Sequence, residues 1–218
     1  MSGGGRGSGD DGGRGGPSPS PLPVPWLTEL GVAVFGTVAI TLAVLRSDYD
    51  PLRRYVSEYV VGPGGWAMRA AFLALGAGSL NLVPGFLRAR PPERLRSVGW
   101  ALAIWGGAVV VAALFPVDPQ GTPTTPGGTV HLAASGVGFL GLFAAMALAA
   151  RRFREADGWR DLAGLTRGFA VATPAAFLLE ATVFATVGWV GVGQWILFGL
   201  AGAWLVVLAR RLDDEPRD

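Results

Sequence analysis

Six blocks of roughly 20 mostly apolar residues divide this chain, and about 20 is the number a helix needs to cross a bilayer core of about 30 Å. They run roughly over residues 27–45, 66–87, 98–115, 129–150, 164–187 and 193–209. Only 16% of the 218 residues are charged, against about 25% in a soluble domain, so most of the chain is matched to hydrocarbon rather than to water. The spacing predicts an all-α integral membrane protein: six transmembrane helices form one domain over residues 26–210, with tails at 1–25 and 211–218.

All 18 basic residues are arginine, and their placement predicts an orientation. Arg88, Arg90, Arg94 and Arg96 fall between the second and third blocks, and Arg151, Arg152, Arg154, Arg160 and Arg167 between or just inside the fourth and fifth. Arg6, Arg14, Arg210, Arg211 and Arg217 lie near the two termini. With an even number of crossings these share one side, which leaves Arg46, Arg53, Arg54 and Arg69 on the other. The positive-inside bias then makes both N and C termini cytoplasmic and turns the connections after the first, third and fifth blocks outward. The basic balance is thereby explained by topology, with the lipid bilayer as partner and no nucleic acid. The chain has no cysteine, which excludes disulfides, thiolate nucleophiles and cysteine metal ligands. The absence of lysine excludes Schiff-base chemistry and a P-loop lysine. Residues 1–25 are Gly, Ser and Pro almost throughout and read as a disordered cytoplasmic tail, with the first block serving as an uncleaved signal anchor.

The first two outward loops differ from the arginine-acid connectors on the other side. Each holds an Asp-Pro pair (Asp50-Pro51, Asp118-Pro119) followed by Pro-Gly-Gly (Pro63 to Gly65, Pro126 to Gly128) just before the next helix. Aligning the two triplets sets Met68 against His131. The repeat reads either as a duplication of the first two helices or as ordinary turn and helix-start chemistry. In the fourth helix, His131, Ser135 and Gly138 recur at i, i+4 and i+7 and share a face that points into the bundle. Pro174 lies inside the fifth helix and favours a kink, with Thr173 and Glu180 on a common side.

Chemistry-bearing residues are few. Glu180 is the one acid well inside an apolar block; it is either a site residue or a protonated carboxyl in an interhelical hydrogen bond. His131, the only histidine, opens the fourth helix thirteen residues after Asp118. A carboxylate on one ring nitrogen would leave the other free as base or ligand; otherwise the histidine ties the loop down. Ser57 and Glu58 lie on the same outer side and supply a nucleophile and an acid, or simply a helix cap. A zinc site would have to combine His131 with carboxylates and no cysteine, and no metal-ligand spacing supports one. Arg53, Arg54 and Arg69, with Asp50 and Glu58 nearby, share this side with Tyr49, Tyr55 and Tyr59. Tyr55 and Tyr59 mark one face of a short amphipathic helix at the lipid interface, which either cradles a headgroup phosphate or anchors the loop. No cofactor follows from these residues.

The stretches DYDPLRRYVSEYVVGPGGWAMRAAFLALG (48–76) and FPVDPQGTPTTPGGTVHLAA (115–134) resemble the two signature stretches of the domain of unknown function 998 family, multipass membrane proteins of bacteria and archaea. The matching positions are Asp50, Pro51, Ser57, Phe115, Pro116, Asp118, Thr125, Gly128 and His131. The resemblance spans about residues 27–209 and implies a six-helix fold in the plasma membrane. It names no reaction. Three functions stay open: a binder of a lipid headgroup or small polar ligand at the patch formed by loops 46–65 and 116–130; a hydrolase-like enzyme using His131, Asp118 and Ser57 on a lipid-like substrate; and a small proton-coupled transporter using Glu180.

Overall fold

The computed structural model describes residues 24–89 and 92–214, with the side chains of 92–94 left out. The disorder expected of the glycine-rich tail therefore lies outside the described residues. Among those described, every regular element is helical: α1 (Pro25–Leu45), α2 (Gly65–Asn81), α3 (Val83–Arg88), α4 (Pro92–Leu114), α5 (Pro126–Arg152), α6 (Arg160–Leu179), α7 (Ala185–Val187) and α8 (Val190–Asp213). A short 3₁₀ turn occupies Val56–Val60, and a π-helical turn, Glu180–Phe184, joins α6 to α7. Six stretches are long and apolar enough to cross a membrane: α1, α2 with α3, Leu95–Leu114 of α4, α5, α6 through α7, and α8. The chain is a multipass membrane protein, and its spans are the six blocks read from hydropathy. The last helix runs to Asp213, past the expected start of the tail, because Arg210 and Arg211 sit in its final turn, where cations complement the helix dipole.

The second span breaks at Leu82, which joins α2 to α3. Pro84 follows two residues on, and its ring and missing N–H are incompatible with an uninterrupted helix through this point. In the fifth span α6 continues through Pro174 to Leu179, and the departure from regular helix comes later, at the π turn. There the Ala185 N–H reaches back to the Glu180 carbonyl, five residues earlier.

Consecutive spans run antiparallel, giving the bundle two ends. At one, the starts of α1 and α6 meet the end of α8: Arg210 Nε donates to Glu29 Oε1 at 2.8 Å, and Arg211 Nη2 to Asp161 Oδ1 at 3.2 Å. We call this the terminal end and its opposite the loop end. Exposed tryptophans ring both, Trp26 and Trp100 near the terminal end and Trp66 and Trp189 near the loop end, where amphipathic indoles favour the membrane–water boundary. Between them Phe35, Phe72 and Phe198 from α1, α2 and α8 pack with ring centroids 4.8–5.7 Å apart, and Phe139 of α5 joins at 6.1 Å from Phe198.

The connection from α1 to α2 folds back over this core. Val192 N donates to Leu52 O (3.3 Å) and the Trp195 indole to Pro51 O (3.1 Å). A Cβ on Gly191 would collide with the main chain of Pro51, Leu52 and Arg54, so glycine is what lets the loop lie directly on α8. All five residues of the 3₁₀ turn are buried, with Tyr59 fully inaccessible. The expected amphipathic helix at the lipid interface is thus replaced by a buried turn; its alternating valines and tyrosine gain more from the bundle than from the headgroup zone.

Candidate functional site at the loop end

The start of α5 is built by Thr125 and Asp118. Thr125 is the N-cap, its Oγ1 accepting from Gly128 N at 3.1 Å, and Pro126 follows at the first helical position, where its missing N–H costs nothing. Asp118 holds this cap: Oδ2 accepts from Thr125 N at 2.7 Å and Oδ1 from Thr125 Oγ1 at 2.9 Å. A Cβ on Gly128 would run into that carboxylate, which accounts for glycine in the second Pro-Gly-Gly triplet. In the first triplet the corresponding Gly65 abuts the Val60 carbonyl instead.

His131, one turn into α5, is 4% exposed. Its Nδ1 faces two main-chain carbonyls at the end of α4, Ala112 O at 3.0 Å and Phe115 O at 2.9 Å. Two acceptors on one nitrogen require that nitrogen to carry the proton, so a neutral ring presents Nε2 as a bare acceptor. The carboxylate–imidazole pair expected from sequence is not what the geometry holds: Asp118 is taken up by Thr125, and the orienting acceptors on His131 are carbonyls.

Ser57 comes to the same place from the other loop. Its N–H donates to Gln194 Oε1 at 3.1 Å across the top of α8. Ser57, His131, Ser135 and Gln194 line one part-enclosed cavity, walled by Phe72, Trp105, Phe139 and Phe198. It follows α5 from His131 to Gly138, about 10 Å at 1.5 Å per residue. The space open to the centre of a water-sized sphere is about 30 Å³, room for two or three waters or one small polar group at roughly 10–15 Å³ each. The inward face expected for His131, Ser135 and Gly138 is this cavity wall.

The arginines and tyrosines of the first loop serve each other. Tyr49 and Tyr59 pack at 4.4 Å with their rings tilted by 40°, with the Arg46 guanidinium 5.0 and 5.9 Å from their centroids and Arg54 5.9 Å from Tyr49. Arg46 also donates to Val61 O (2.6 Å) and pairs with Asp48 (2.8 Å). Arg54 pairs at 3.1 Å with Glu58 Oε2, which also accepts from Gln120 N at 3.4 Å; Oε1 of Glu58 is buried without a partner. Burial raises the Tyr49 phenol, helped by the adjacent Glu58 charge, and burial likewise raises Tyr55 and Tyr59. The hydrogen bond from Arg46 holds the Asp48 carboxyl below its usual range. A phosphate cradle of Arg53, Arg54, Arg69 and tyrosine edges is not assembled. Arg53 pairs in the open with Asp50, at 3.3 Å. Arg69 lies apart, lining with Trp66 and Asp118 an open surface basin of about 660 Å³. Glu180 is 8% exposed, packs its stem on Gly193 and leaves Oε2 without a hydrogen-bond partner.

Sequence reasoning gave Arg46 and Gln194 no site role and weighed Asp48 only among the carboxylates of a zinc site, not as the partner of Arg46. Arg46-x-Asp48 directly after a helix end, and the lone amide of GVGQWILFG, were the available signals. Among the described residues no group of three or more His, Asp or Glu is arranged to hold a metal. The family model described as "Protein of unknown function (DUF998)" matches residues 30–211. No curated protein and no solved structure matches the chain.

Proposed function

Since the chain belongs to the DUF998 family of proteins of unknown function, we propose its role from the loop-end cavity: it binds the polar head of a lipid or a small polar ligand there. The observation that carries this reading is His131, whose Nδ1 is committed to the Ala112 and Phe115 carbonyls while its ring lines a cavity shared with Ser57 and Gln194. Nε2 accepts, and the Gln194 amide nitrogen and the Ser57 hydroxyl donate, so the complementary group both donates and accepts. A hydroxyl does both, and one hydroxymethyl group is what about 30 Å³ admits. Hydroxyl-bearing headgroups such as glycerol or sugars are therefore the ligand class, and the aromatic wall accommodates their apolar neighbours.

In this reading the loop end faces out of the plasma membrane and both termini are cytoplasmic. Single cysteines at Gln120 and Asp157 should label from opposite sides; labelling from the same side would overturn the orientation. The binding test is mass spectrometry of lipids and metabolites retained by wild type, His131→Ala and the cavity-filling Ser135→Leu, each checked for native helicity. A hydroxylated species held by wild type and lost from both variants supports the proposal. Identical complements in all three overturn it.

Hydrolysis is a second reading, favoured by Ser57 and His131 lining one cavity. With carbonyls rather than an acid on Nδ1, it requires a serine–histidine dyad. Wild type would then release a hydrolysis product and Ser57→Ala none; no product from wild type removes this reading. Nothing at Glu180, packed against Gly193, adds support for transport.

A further inference from the structure

At the terminal end, Arg151 from the close of α5, Arg154 from the turn after it and Arg167 from the second turn of α6 line one open basin of about 430 Å³, floored by Ala147, Ala150 and Gly164. None of the three guanidiniums has an ion pair or hydrogen bond among the described residues. The acids of the same stretch are engaged elsewhere: Glu155 by Arg152 at 3.6 Å, Asp157 by Arg160 at 3.1 Å and Asp161 by Arg211 at 3.2 Å. Three cations without an ion pair among the described residues thus line one concavity of headgroup size. Dipole complementation at the end of α5 accounts for Arg151, but not for Arg167, which sits near the start of its helix.

A Cβ at Gly164 would meet no atom within 4 Å, so packing does not require glycine there, and any larger residue would project into open space. Beside the basin the helices offer lipid-facing apolar side chains, with Leu165 49%, Val171 64% and Leu140 68% exposed. A molecule with a phosphate at one end and acyl chains at the other satisfies both surfaces at once. Basic pockets between membrane helices take anionic headgroups in this way.

We propose that Arg151, Arg154 and Arg167 form a binding site for the phosphate of an anionic phospholipid. Three guanidinium forks surround the phosphate oxygens with charge-assisted hydrogen bonds, and a neutral or zwitterionic headgroup brings no net charge to balance them. The site stands apart from the loop-end cavity, and neither depends on the other.

The test is native mass spectrometry of the full chain in neutral detergent, titrated with phosphatidylglycerol, cardiolipin and phosphatidylcholine, with inorganic phosphate as competitor. Wild type should retain the anionic lipids about tenfold over phosphatidylcholine, and each of Arg151→Gln, Arg154→Gln and Arg167→Gln should weaken retention by roughly tenfold. Gly164→Leu keeps every charge, relieves a helix glycine and fills the basin, so it should lose the lipid while melting no lower than wild type. Arg96→Gln removes an exposed charge outside the basin and should change nothing. Equal retention of phosphatidylglycerol and phosphatidylcholine, or wild-type retention by Gly164→Leu, overturns the site. Displacement by millimolar inorganic phosphate as effective as by lipid overturns the phospholipid as occupant.

Discussion

Replacing Asp118 by alanine separates two roles for that residue, builder of the α5 cap and partner of His131. Two charge-assisted hydrogen bonds to Thr125 are lost, at 2.7 and 2.9 Å. Such bonds are worth about 1.5–3 kcal/mol each when buried; at this half-buried position about 1 kcal/mol each is appropriate, or about 2 kcal/mol in all. Thr125→Ala removes the N-cap, about 1 kcal/mol, together with the Oγ1 bond to Asp118, while the main-chain N–H of residue 125 keeps its own. The double variant should therefore fall short of the sum of the single ones by about 1 kcal/mol. Asp118→Ala with His131→Ala should add to within about 0.5 kcal/mol, as for groups without a shared partner. Unfolding of the detergent-solubilised protein by dodecyl sulfate, followed through its eight tryptophans, supplies the four corners of each cycle. Coupling above 1 kcal/mol between Asp118 and His131, with none between Asp118 and Thr125, would refute the cap assignment and restore the acid–imidazole pair.

Gln194→Leu leaves the buried Ser57 N–H without an acceptor, a cost of about 1–3 kcal/mol; trypsin should then cut after Arg53 or Arg54 faster, by roughly tenfold per 1.4 kcal/mol of loop opening, and unchanged cleavage would exclude the anchor. Gly193→Ala drives a Cβ into the Glu180 stem and backbone, whereas Gly36→Ala and Gly199→Ala meet nothing within 4 Å. The first should destabilise by about 1–3 kcal/mol and the other two should be neutral or stabilising, a ranking that thermal melts of the three variants check. Acid should weaken the first loop through Asp48, whose carboxyl Arg46 holds below its usual range. A depressed folded-state value means the stabilisation is complete above the ordinary carboxylate range and disappears as pH falls through the folded one. Asp48→Asn should flatten that acid limb of the melting profile, and an unaltered limb would assign it to another group.

The spans were legible because hydropathy is a local property that accumulates over 20 residues. Their ends were placed short where polar residues such as Arg160 and Asp213 continue a helix into the headgroup zone. The loops were less legible because their partners are distant. Nothing near Tyr55 and Tyr59 announces that Gln194 and Trp195 will draw the chain inward, and in isolation their four-residue spacing fits a surface helix equally well. For Asp118 the misleading element was proximity: an acid and a histidine bracket one loop, and the competitor lies between them. Thr125-Pro126 is itself a helix-start signature, and a carboxylate seven residues upstream reaches that start before it reaches a side chain a full turn further on. Ser57 and His131 were expected on one side and share a cavity, but Gln194, which holds Ser57 there, carried too little local pattern to be singled out.

The contact between Ser57 and Gln194 spans 137 residues, and that separation is also an interval of time. At about 5–20 residues per second of synthesis, the first loop leaves the ribosome roughly 7–27 s before the residue that will fasten it. Throughout that interval the chain can insert helices but cannot close the roof of its cavity. Completion of the roof is therefore a late event in biogenesis, and a chain that stalls or is cut before α8 keeps spans enough to reside in the membrane while lacking the polar chamber altogether.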